Sequence, residues 1–97
     1  MKVYIAGKIS GLDRRDVVFK FGKASIEQKK QGNTIFLPTV LPESNSITQE
    51  QYLHICFAMI DVCDAVFLLP DWIDSAGAKK EKEYAEKSGK KIIYAEV

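Results

Sequence analysis

The chain has 97 residues, 46% of them hydrophobic and 28% charged, the size and composition of one ordinary globular domain spanning 1–97. Fourteen basic against thirteen acidic side chains leave a formal charge of +1, so no basic field marks a nucleic-acid polymer as a partner. A domain this short buries only about 60–65% of its unfolded surface, which favours a homodimer or higher homo-oligomer.

The longest apolar runs, Ala65–Pro70 and Ile92–Ala95, fall far short of the roughly 20 residues that span a bilayer, so no membrane is expected. The opening Met1–Ala6 is too short and strand-like for a signal peptide. Cys56 and Cys63 lie seven apart, about 10 Å along a helix, too far for a disulfide and wrongly spaced for zinc. They read as buried thiols of a reducing compartment, and the expected location is cytoplasmic.

Two hydrophobic periods alternate along the chain. Val3–Ala6 is a short apolar run closed by Gly7, a buried strand by pattern. Asp13 and Asp16 then open a helix carrying Val17, Val18, Phe21, Ala24 and Ser25 on one face, and Gly32 ends it. Thr34–Leu37 is the second strand, stopped by Pro38, and Thr39–Ser46 reads as a loop.

Ser46 or Thr48 caps the next helix, with Gln49 or Gln51 at the capping-box position. Its stripe is Tyr52, Cys56, Met59, Ile60 and Cys63, joined by Leu53 and Phe57. Asp64–Leu69 is the third strand, Ser75–Ser88 the third helix stopped by Gly89, and Lys91–Ala95 the fourth strand. The order β-α-β-α-β-α-β with continuously apolar strands predicts a compact α/β doubly wound (flavodoxin-like) fold. Its four-stranded parallel sheet has order 2-1-3-4 and helices on both faces. Such sheets bind ligands at the carboxyl ends of their strands, where the order reverses. That places a crevice between strands 1 and 3, lined by Gly7–Gly11 and Pro70–Gly77.

The loop Gly7–Lys8–Ile9–Ser10–Gly11 offers tight backbone turns, exposed amides, a cation and a hydroxyl to an anion. It lacks the spacing of a Walker A loop or a dinucleotide fingerprint, and it reads equally as a plain turn into a helix. In the third helix the face opposite the lysines carries Gly77, Glu81, Tyr84, Ala85 and Ser88, so Glu81 interrupts the side that packs on the sheet. A carboxylate there is costly to bury without partners or a cleft; the alternative is a boundary glutamate paired with a lysine. Ser75 is an N-cap that could also face a phosphate. Asp71 and Asp74 read as turn formers flanking Trp72, an aromatic suited to stacking on a base or sealing a subunit contact. His54 stands alone, so neither a metal nor a Ser-His-Asp hydrolase is expected.

Three stretches, Tyr4–Gly11, Cys63–Val66 and Ser75–Glu81, stand in an order and spacing that resemble the nucleoside 2-deoxyribosyltransferase-like superfamily, which includes the 2′-deoxynucleoside 5′-monophosphate N-glycosidases. The likeness covers nearly the whole chain and is greatest to small, often phage-borne members; Gly77-x-x-x-Glu81-x-x-x-Ala85 is its most specific element. The resemblance implies that Glu81 is the nucleophile, forming a covalent glycosyl-enzyme, and that Tyr4 orients it. It implies further that Gly7, Ser10, Gly11 and Ser75 surround the sugar 5′ end or its phosphate, with Lys8 adding positive charge. No cofactor is implied, and the partner is a nucleotide or nucleoside.

The chain departs from the family at Cys56, among other places: many active members carry an aspartate there, about eight residues before the one matching Asp64. The implied activity is cleavage or transfer at the N-glycosidic bond of a 2′-deoxynucleotide or related nucleotide. The alternative is a non-catalytic protein that sequesters or senses a nucleotide.

Overall fold

In the computed structural model, residues 1–95 are described. Strands β1 (Lys2–Ala6), β2 (Thr34–Phe36), β3 (Ala65–Leu68) and β4 (Lys91–Tyr94) form one parallel sheet in the order β2-β1-β3-β4. Tyr4 lies opposite Phe36 on one side and Val66 on the other. The expected topology is therefore the observed one, with β2 and β4 as edges. Val3–Ala6 is fully buried, because a central parallel strand is covered on both faces.

Side-chain alternation along β1 divides the core. Ile5 points to helix α1 (Arg14–Lys30), where it meets Val17, Phe21, Ala24 and Leu69. Tyr4 and Ala6 point the other way, towards Cys56 and Ile60 of α2 (Gln49–Asp61) and Ala78 and Ala85 of α3 (Ala76–Lys87). Burying each large aliphatic or aromatic side chain of these clusters contributes about 1.5–3 kcal/mol.

The helices begin where their caps dictate. Asp13 accepts a hydrogen bond from the Arg15 amide at 2.8 Å, and Ser75 Oγ accepts from the Ala78 amide at 3.1 Å. At α2 the capping box is formed by Thr48 and Gln51, the second member of each pair the sequence offered. Gly89, at φ +73, ends α3 in a conformation that disfavours other residues.

Two expectations need correction. Val18 is 51% exposed, since neighbouring helical residues point about 100° apart and Val17 takes the sheet-facing position. In its place Gln28 is buried, its Oε1 accepting from Asn33 Nδ2 at 3.0 Å. Cys63 lies beyond the end of α2 and joins the core from the turn before β3, so the two free, buried cysteines do not share a helix face. Among the described residues no helix is long and apolar enough to cross a membrane.

Candidate active site

The carboxyl ends of β1, β2 and β3 open onto a cavity of about 550 Å³, within the range of small-molecule sites. One wall is the loop Gly7–Leu12 after β1, and a second is Asp74–Ala78 at the start of α3. A third is the segment from Leu41 to Asn45 with Gln49, Tyr52, Leu53 and Cys56 of α2, and Glu81 closes the inner end. Tyr52 secures that third wall: its hydroxyl donates to the Pro42 carbonyl and accepts from the Ser44 amide at 3.1 Å.

Glu81 stands one helical turn past Ala78 on the buried line Ala78–Glu81–Ala85 and is only 6% exposed. Its Oε2 accepts a hydrogen bond from the Tyr4 hydroxyl, itself fully buried on β1. The Cys56 thiol adjoins both. Burial pushes the Glu81 carboxyl up to about 7, and the hydrogen bonds from Tyr4 and Cys56 restrain the rise by favouring the ionised form. Burial, and then the nearby Glu81 charge, hold the Tyr4 phenol well above its ordinary value and push the Cys56 thiol up to about 11. The arrangement is a carboxyl poised near neutrality between two neutral donors.

The loop after β1 is held from outside the cavity. Asp71 Oδ1 accepts from the Lys8 amide at 3.0 Å, and the Lys20 ammonium donates to Asp71 Oδ2 at 2.5 Å and to the Lys8 carbonyl at 2.6 Å. Gly7 permits this close approach, since a Cβ there would meet Leu69 Cδ1 at 2.7 Å. Gly11, at φ +80, supplies the second turn. At the opposite wall Ser75, Ala76 and Gly77 line the cavity at the start of α3, where orphan amides and the helix dipole favour an anion. Lys8, Arg14 and Lys80 add positive charge to the same lining, and Glu43 and Asp74 negative charge.

Residues 1–94 match the family described as Domain of unknown function (DUF4406). The chain belongs to that family. This DUF4406 chain also shares its fold with two solved enzymes. One is the CMP N-glycosidase of Clostridium botulinum, at 18% identity and TM-score 0.65 over 97% of this chain and 67% of that one. The other is the 2-desoxiribosyltransferase from Leishmania mexicana, at 20% identity and TM-score 0.71 over 96% and 62%. The likeness to both is one of fold, and the chain spans about two thirds of the length of either enzyme. No curated protein matches the sequence.

Of the residues the sequence singled out, Gly7, Lys8, Ile9, Ser10, Gly11, Ser75, Gly77 and Glu81 line the cavity of this DUF4406 chain, with Tyr4 bonded to Glu81 behind it. Two do not line it. Asp71 turns back to the Lys8 peptide and Lys20. Trp72, on the 3-10 turn Pro70–Asp74, packs on the core beside Tyr94 of β4, ring centres 6.0 Å apart, with Lys82 Nζ 5.4 Å from its ring. The turn carries the indole away from the crevice to cover the edge strand. Conversely, the sequence did not single out Arg14, the 41–45 segment, Gln49, Tyr52 or Lys80 for the cavity. The topology held the signal: in a 2-1-3-4 sheet the segment after β2 emerges at the same carboxyl edge as the loop after β1. Among the described residues no cluster of three His, Cys, Asp or Glu side chains is arranged to hold a metal ion.

Proposed function

We propose that the protein cleaves or exchanges the N-glycosidic bond of a 2′-deoxynucleotide or related nucleotide, with Glu81 as nucleophile. The observation that carries this reading is the Glu81 carboxyl, buried at the inner end of a nucleotide-sized cavity and bonded to Tyr4. A carboxylate attacking the anomeric carbon splits one difficult displacement into two easier ones through a covalent glycosyl-enzyme. Tyr4 holds Oε2, and the phenol stabilises the ionised form that attack requires. The loop Gly7–Gly11 and the start of α3 with Ser75 and Gly77 receive the sugar 5′ end or its phosphate. Lys8 supplies charge there, and Asp71 acts through the Lys8 peptide as a positioning residue. Trp72 has no part in this reading.

The test is release or exchange of base from a panel of nucleoside and 2′-deoxynucleoside monophosphates, followed chromatographically. Glu81→Ala should lower turnover by at least ~10³-fold while nucleotide binding persists. Turnover unaffected by that substitution would end the assignment. Tight, reversible, stoichiometric binding by calorimetry with no product from the native protein would favour sequestration instead.

A further inference from the structure

The cavity lining limits what can protonate a departing base. Among the described residues its carboxyl groups are Glu43, Asp74 and Glu81, and its ammonium groups are Lys8, assigned above to the phosphate, and Lys80, exposed on α3. Glu43 and Asp74 are exposed at the rim, and Glu43 Oε2 turns towards Arg14 Nε at 3.9 Å. Glu81 is the buried one, and as nucleophile it must be ionised when attack begins. Packed against it are a phenol from β1 and a thiol from α2, both held neutral by burial and too weakly acidic to give up a proton near neutrality. His54, the single imidazole in the sequence, is exposed and does not line the cavity.

An uncharged base leaves with the bonding electron pair on a ring nitrogen and requires a proton; a positioned acid contributes about 10²–10⁴-fold there. A base that is already cationic leaves as a neutral molecule and requires none. Tyr52 adds a second observation: it lines the cavity with its hydroxyl tethered to Pro42 and Ser44, an aromatic surface held in place and suited to a flat cation.

Resting on the proposed function, we infer that the site takes nucleotides whose base is already positively charged, pyridinium nucleotides foremost. A Glu81 carboxylate oxygen bonds to C1′ as the C1′–N bond breaks, and the electron pair neutralises the pyridinium nitrogen. Water then bonds to C1′, the C1′–O bond to Glu81 breaks, the carboxylate is restored and the water proton passes to solvent. No oxidant or further reactant is involved.

The experiment compares nicotinamide mononucleotide with CMP and dCMP, following released base and dividing each rate by that substrate's uncatalysed rate. The expected enhancement is at least ~100-fold greater for the pyridinium substrate, the lower bound of a general acid's contribution. Cys56→Asp, which sets a carboxyl on the cavity wall beside Glu81, should narrow that ratio. If that variant does not fold, the native comparison stands by itself. Equal enhancements, or CMP cleaved while nicotinamide mononucleotide is inert, overturn the inference and leave the proposed function intact. Release of no base from any of the three, or from the wider panel, removes the proposed function and this inference with it.

Discussion

Against α1 the sheet sets Ile5 and Leu69 on Val17, Phe21 and Ala24, a cluster with no titratable member. Against α2 and α3 it sets Tyr4, Ala6, Val66 and Leu68, and there a carboxyl, a phenol and a thiol share the interior with the apolar side chains. Both faces exclude water, and α1 buries the uncharged Ser25 and Gln28, yet only the second face accepts a carboxyl, whose charge burial penalises most. A core built for stability alone gains nothing from Glu81 at that position. The asymmetry separates a face that only holds the sheet from a face that also holds ionisable groups.

The largest effect expected from breaking the first face is on stability. Phe21 is fully buried, and Phe21→Ala should cost about 3–5 kcal/mol in urea or thermal unfolding, because the cavity left behind collapses only in part. Domains of this size have about 5–15 kcal/mol in total, so the variant should be studied in the cold. Its folded fraction should retain the native KM. A changed KM would mean that the α1 face also shapes the site.

The second face should respond to pH. The Glu81 carboxyl titrates near 7 in the folded protein against 4.5 when free, so between these values the native state holds a proton the unfolded state has released. Stability is then fully present below about 4.5 and is lost as pH rises through about 7, by roughly 3 kcal/mol in all. Glu81→Gln keeps an acceptor for Tyr4 and cannot ionise. Its unfolding free energy should stay level across that window and exceed the native value at pH 8, as read from denaturant titrations. Parallel pH curves for the two proteins would show that Glu81 is not the group responsible.

Much of this contrast is legible in the amino-acid order. Short apolar strands bounded by Gly7, Pro38 and Pro70 with capped helices between them specify the layers, and the spacing of α3 turns Glu81 inward. What escapes a reading of the chain depends on contacts distant in sequence. Trp72 adjoins the crevice in sequence but is drawn to Tyr94 and Lys82 by a 3-10 turn. Asp71 is spoken for by Lys20, 51 residues earlier. Cys56 acquires its setting only when α2 lies beside both β1 and α3. Asp64 has an ordinary structural employment far from the cavity, accepting the Lys2 amide at 2.8 Å where β1 begins; that bond holds its carboxyl below the usual range.

Tyr4→Phe sharpens the comparison with the smallest change, one oxygen atom. The hydroxyl bonds to Glu81 Oε2 and favours its ionised form, so removal should drive the Glu81 carboxyl further above about 7. Attack needs the carboxylate, and the ascending limb of the pH–rate profile should move to higher pH. A shift of one unit lowers the ionised fraction, and with it turnover near neutrality, by about fivefold, with recovery as the pH is raised towards 9. A phenol that served only to fill space would leave the limb where it was, and any loss of rate would then be the same at every pH. Because the phenyl ring remains, packing against Val66 and Cys56 is largely kept, and the displacement of that limb can be read apart from any loss of folded protein.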